Sequence, residues 1–244
     1  MLKNFMLYIE KDYQAMSKRA ADLFAGSVRK NPKAAFGFAT GSTPSGMYKN
    51  LVEMQKAGKF DMRNIKAFNL DEYYPIKADD PQSYAYYMRK NLFDQVHLPA
   101  ENTFIPSGEA TDPIAECDAY EEKLSDAGIE MQILGIGNNG HIAFIEPAPA
   151  LASTTSYSPL AEETIKANSR FFASPDDVPR HSLTVGMHSI MMARRILLLA
   201  SGSSKAEAIS ATLNGNITTM VPASLLQLHR DVIVVLDYAA AQLL

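Results

Sequence analysis

The chain has 244 residues, a net charge of −4 and one cysteine, with 47% hydrophobic and 20% charged residues. That balance excludes wholesale disorder, a basic nucleic-acid groove and a polybasic membrane face, and a lone Cys117 excludes an intrachain disulfide or a thiolate metal cluster. Glu10 and Lys11 interrupt the first apolar stretch and the apolar runs are short, so no secretory signal or membrane span is expected. The expectation is a soluble cytoplasmic protein.

Strand-like runs alternate with helical periodicity along the chain, which predicts an α/β fold: one doubly wound, mostly parallel sheet with helices on both faces, forming a single domain over residues 1–244. Phe5–Ile9 reads as a strand, and Asp12 as the N-cap of a helix carrying Met16, Ala20, Leu23, Phe24 and Val28 at helical spacing. Ala34–Ala39 is strand-like and runs into Thr40-Gly41-Ser42-Thr43-Pro44, followed by a helix through Met47, Leu51 and Met54. Ile65–Leu70 is the next strand, with Asp71-Glu72-Tyr73 as the loop at its end. Pro81–Phe93 and Ile114–Ala127 read as helices. Cys117 falls within the latter among acidic residues, which suits a helix surface or half-buried thiol. Ile129–Leu134 is a strand entering Gly135-Ile136-Gly137-Asn138-Asn139-Gly140. His181–Val185, Arg195–Ala200 and Val232–Leu236 complete the predicted strands, and Lys205–Leu213 is a helix directly after Ser201-Gly202-Ser203-Ser204.

In such sheets ligands bind outside the carboxyl ends of the strands, where four polar clusters fall in this reading. Thr40–Thr43 joins a strand to a helix; it can cradle a phosphate or simply cap a tight turn, and it is not a P-loop. The glycine spacing at Gly135, Gly137 and Gly140 fits a dinucleotide loop, but His141 and Glu146 follow where such a loop would begin a plain helix. Lys205 can meet a phosphate or stay solvated, and Arg170 can do the same or stack on its aromatic neighbours. Asp71 and Glu72 are adjacent on an extended run, so only one faces a site, as a general base or a turn cap. Asn139, His141 and Glu146 form the most informative group. An imidazole moves protons near neutral pH when a carboxylate fixes its tautomer. The other histidines, His97, His181, His188 and His229, read as structural. No metal ligand set stands at zinc spacing.

Leu70–Tyr74 (LDEYY), Gly135–Pro147 (GIGNNGHIAFIEP), Ala167–Phe172 (ANSRFF), Ser201–Ala206 (SGSSKA) and Ala39–Pro44 (ATGSTP) resemble the glucosamine-6-phosphate deaminase family, in family order from about Ala34 to Leu236. The resemblance implies conversion of glucosamine 6-phosphate and water to fructose 6-phosphate and ammonia, in amino-sugar catabolism, without metal or organic cofactor. It implies a doubly wound α/β fold and a sugar phosphate as the partner. By the same resemblance, Asp71 is the base that moves the C2 proton to C1. His141 shuttles a proton during ring opening, with Asn139 and Glu146 orienting it. Thr40, Gly41, Ser42, Thr43, Arg170 and Lys205 hold the 6-phosphate, and the segment 157–174 is a lid.

Three departures from the family pattern stand out. Asn139 occupies a position that is Asp in many relatives, Ile145 stands where Asn is usual, and Ser156 replaces the Arg of members activated by N-acetylglucosamine 6-phosphate. With the early stop at Leu244, they imply an unregulated enzyme, monomeric or homo-oligomeric. Two rival readings are a 6-phosphogluconolactonase-like hydrolase, which does not need Glu146, and a non-catalytic sugar-phosphate sensor, for which Ile145 is the sole support. The galactosamine epimer of the substrate is also compatible.

Overall fold

The computed structural model describes residues 5–172 and 174–244. Seven strands build the main sheet: β1 (Phe5–Glu10), β2 (Ala35–Phe38), β3 (Lys66–Asn69), β5 (Thr103–Phe104), β6 (Ile129–Leu134), β9 (Ile196–Ala200) and β10 (Val232–Asp237). Their order is β1-β10-β9-β6-β2-β3-β5, and every neighbouring pair is parallel. All residues of β9 and β10 are buried, which requires cover on both faces of the sheet and explains why these strands read as unbroken apolar runs rather than alternating ones.

Two helices illustrate how local sequence sets the boundaries. Asp12 caps α1 (Tyr13–Lys30) by accepting the Ala15 N–H at 2.8 Å, and the buried stripe runs through Met16, Ala20, Phe24 and Val28. Leu23 sits at the margin of that stripe, half-buried. The second helix, α2 (Ser42–Lys56), packs on α1, and both reach β9.

From β2 the chain winds outward through β3 to β5; from β6 it winds the other way through β9 to β10. The winding reverses between β2 and β6, and the loops leaving these two strands open a crevice at one edge of the sheet. Gly37 of β2 lies opposite Gln132 of β6, and a Cβ there would fall 1.9 Å from the Gln132 side chain, so close approach demands glycine.

A second sheet stands beside the one that the sequence pattern predicts. β4 (Asp71–Tyr74), β7 (Ser156–Pro159) and β8 (His181–Thr184) form an antiparallel sheet in the order β4-β8-β7. The stretch expected as a loop after β3 is therefore strand β4, and His181–Thr184 pairs here rather than in the main sheet. Leu70 is the joint: its N–H donates to Phe38 O in the main sheet while its carbonyl accepts from Val185 N. The helix expected over Pro81–Phe93 begins only at Ser83, which caps α3 (Tyr84–Met88) through Tyr86 N, and ends in a π-helical turn over Arg89–Phe93.

The remaining helices are α4 (Pro113–Ala127), α5 (Glu162–Asn168), α6 (Met187–Met191) and α7 (Ala206–Asn214). Cys117 is buried on α4, and burial together with Glu116 and Asp118 pushes its thiol up to about 11, which makes it unreactive. Among the described residues no helix is long and apolar enough to cross a membrane.

Candidate active site

The loop after β6 is tightly folded around a histidine. Gly137 N donates to His141 O at 2.9 Å, and Gly140, with φ of +85°, donates to Gly137 O at 3.1 Å. A Cβ on Gly137 would lie 2.3 Å from the imidazole, so the ring rests directly on the glycine backbone. Asn139 holds both ends of the loop: its Oδ1 accepts from His141 N at 3.1 Å, and its Nδ2 donates to Glu146 Oε2 at 2.9 Å.

The same Glu146 oxygen lies 3.2 Å from His141 Nδ1, off the line of a hydrogen bond. The other carboxylate oxygen accepts a short hydrogen bond from the Thr164 hydroxyl. Burial would raise the Glu146 carboxyl, but the His141 ring, Thr164 and Asn139 together outweigh it and hold the group down at about 2. Glu146 is thus a fixed anion beside the imidazole.

Asp71, the first residue of β4, is 5% exposed. Burial, then the neighbouring Glu72 charge, pushes its carboxyl up to about 8. Glu72 points the other way, as strand alternation requires, and serves structure. It accepts the N–H groups of Tyr73 at 2.9 Å and of Tyr84 and Ala85 at 2.8 Å, which ties β4 to the start of α3. Burial dominates there too and raises Glu72 to about 7 despite three donors. Of the two adjacent carboxylates, Glu72 is the one engaged by three backbone N–H groups.

The loop after β2 ends in Gly41, the N-cap of α2, with φ of +101° and no side-chain cap, so the first amides of α2 are left without an internal acceptor. Three tyrosines secure the loop's carbonyls from behind: Tyr48 donates to Ala39 O at 2.5 Å, Tyr87 to Gly41 O at 2.7 Å and Tyr13 to Ser42 O at 2.8 Å. Ser42 and Thr43 line a cleft of about 340 Å³ with Tyr13, Ser45 and Ser201. Ser201 and Gly202 are pinned to Asp237 at the end of β10, by Ser201 Oγ at 2.5 Å and Gly202 N at 3.1 Å. A 3₁₀ turn over Ser203–Lys205 follows. Burial lowers the Lys205 ammonium, and the nearby Arg170 guanidinium lowers it further. Two cations close enough for one to lower the other are the electrostatic signature of an anion site.

The Tyr84 hydroxyl shares side-chain hydrogen bonds with Thr40 and Tyr73, and Asn168 Nδ2 donates to Tyr73 Oη at 2.7 Å. This chain of side chains joins the β2 loop, β4 and the segment bearing Arg170. The sequence gives no local signal for Tyr73, Tyr84, Thr164 or Asn168 as site residues, because their partners lie far away along the chain. Ile145 is 5% exposed in the main core, so this position contributes packing rather than a polar contact. His229 is structural as expected: it bonds Ala193 O at 2.8 Å and accepts from Asp231 N at 3.1 Å. Within the segment 157–174, Ala173 lies outside the described residues. Among the described residues, no group of three or more His, Cys, Asp or Glu could hold a metal ion.

Residues 10–235 match the family of glucosamine-6-phosphate isomerases and 6-phosphogluconolactonases. The chain is 54% identical over 237 residues to a glucosamine-6-phosphate deaminase of Halothermothrix orenii, covering 97% of this chain and 98% of that one. It is 47% identical over 239 residues to the deaminase of Clostridium perfringens, covering 98% and 99%. A solved structure of a monomeric glucosamine-6-phosphate deaminase superposes with a TM-score of 0.94 at 42% identity, covering 99% of this chain and 100% of that one. A 6-phosphogluconolactonase from Trypanosoma cruzi superposes at 0.76 with 19% identity, a likeness of fold alone. With its reversal-point crevice, its fold and near full-length matches in agreement, the chain belongs to the glucosamine-6-phosphate isomerase/6-phosphogluconolactonase family.

Proposed function

We propose that the chain is a glucosamine-6-phosphate deaminase, converting glucosamine 6-phosphate and water to fructose 6-phosphate and ammonia. The observation that carries this reading is the pairing of two differently tuned carboxylates in one site: Asp71, raised to about 8, and Glu146, held at about 2 beside His141. Mere binding of a sugar phosphate needs no such acid/base set, and lactone hydrolysis needs no base for a carbon-bound proton.

The 6-phosphate docks on the first amides of α2 with Thr40, Gly41, Ser42 and Thr43, and is neutralised by Lys205 and Arg170. That anchoring supplies binding energy for orienting C1 and C2. His141 takes the proton of the C1 hydroxyl and gives it to the ring oxygen as the C1–O5 bond opens, with Glu146 beside the imidazole and Asn139 holding Glu146 and the His141 backbone N–H. Asp71 then removes the C2 proton while the C1 oxygen takes a proton from the substrate's own C2 ammonium, and the resulting enolamine receives the Asp71-held proton at C1, which leaves a C2 iminium. Water adds to the C2 iminium carbon, the C2–N bond breaks, and ammonia leaves. The substrate's ammonium, placed near Asp71, favours the carboxylate form of a group that burial otherwise keeps protonated.

Ser156 belongs to the same reading. Its hydroxyl meets that of Ser158 at 3.0 Å on β7, a position with no guanidinium to offer an anionic activator. Ammonia release from glucosamine 6-phosphate is therefore expected at the same rate with and without N-acetylglucosamine 6-phosphate. Absence of ammonia in both arms overturns the deaminase; stimulation overturns the unregulated enzyme.

A further inference from the structure

Helix α5 presents two polar side chains on one face, four residues apart. Thr164 reaches Glu146 Oε1, and Asn168 reaches Tyr73 Oη at 2.7 Å. Arg170 follows directly and lies near Lys205. Helix α5 and the turn after it thus touch the histidine-orienting carboxylate, the aromatic beside the carbon base, and the anion site. Thr164 is 7% exposed, so its hydroxyl does not exchange freely with water.

The division of hydrogen bonds on Glu146 is informative. Asn139 and His141 share Oε2, and Thr164 alone among the described contacts occupies Oε1. A carboxylate gripped at one oxygen only can rotate about its terminal torsion, which is broad and weakly restrained. The hydroxyl on the second oxygen removes that freedom and keeps Oε2 turned towards the imidazole. We propose that Thr164 is a positioning residue for ring opening: it locks the Glu146 carboxylate against His141 and couples that lock to the segment that runs on from α5 to Arg170. The inference rests on the deaminase reading of the site.

Thr164→Val keeps the branched shape and loses the hydroxyl; Thr164→Ser keeps the hydroxyl and loses the methyl. Thr164→Val should lower kcat roughly tenfold, the worth of one charge-assisted hydrogen bond, with KM changed less than twofold. Thr164→Ser should restore most of kcat. The Glu146 carboxyl, followed by carbon NMR with Glu146→Gln to assign its signal, should titrate higher in the valine variant and near the wild-type position in the serine variant. A merely structural Thr164 gives the reverse order, with serine the more damaged and both titrations unchanged, and that overturns the proposal. If the wild type releases no ammonia, the deaminase reading fails by itself, while the Glu146 titration in the two variants still decides whether Thr164 sets that carboxylate.

Discussion

Two carboxylate regions of the same site are tuned in opposite directions. At the start of β4, Asp71 and Glu72 are buried side by side with no cation among the causes acting on either, and both are raised. After β6, Glu146 is also desolvated, yet a histidine, a threonine hydroxyl and an asparagine amide bring it down to about 2. Burial acts the same way in both places; the neighbours decide the outcome. A raised carboxyl is a strong enough base for a carbon-bound proton once ionised, whereas a lowered one is a permanent anion suited to holding an imidazole.

Breaking the raised side has the largest expected effect. Asp71→Asn keeps the shape but cannot accept a proton, and kcat should fall by roughly 10²–10⁴, the usual worth of a general base. Binding of fructose 6-phosphate, measured by calorimetry, should stay within threefold, since the phosphate contacts are elsewhere. Wild-type turnover by this variant removes Asp71 from the chemistry. The anion site gives a smaller and different effect. Lys205→Ala should raise KM about 10- to 100-fold with kcat nearly unchanged, as expected for loss of a charge-assisted contact made equally in ground and transition states. An unaltered KM in steady-state kinetics puts Lys205 outside the phosphate subsite.

Six of the seven main-sheet strands and the strand-end clusters were legible because each depends on local signals; β5, only two residues long, offers none. Fully buried β9 and β10 read as apolar runs, Asp12 marks a helix start, and His141 stands among glycines that only a tight turn explains. The antiparallel sheet was not legible. Asp71–Tyr74 is four residues long, opens with two acids and pairs with a strand more than a hundred positions away, so nothing local separates it from a loop. The same distance hid Tyr73, Tyr84, Thr164 and Asn168. Their hydroxyls and amides acquire a role only when the sheets bring β4, α3 and α5 together. Of the adjacent acids, alternation said that one faces the site, but which one depended on Glu72 finding the amides at the start of α3.

In the proposed reaction Asp71 is a base whose ionisation is set by burial and by Glu72. The most direct test is kcat/KM as a function of pH in the wild type and in Glu72→Gln. Asp71 must lose its proton to act, and its carboxyl is raised to about 8 in the free enzyme, so kcat/KM should climb with rising pH and level off above that value. Removing the Glu72 charge takes away one cause of the rise, so the limb should move to lower pH. An ionisation belonging to the substrate would stay where it was. A limb that is absent, or that does not move in Glu72→Gln, contradicts the account.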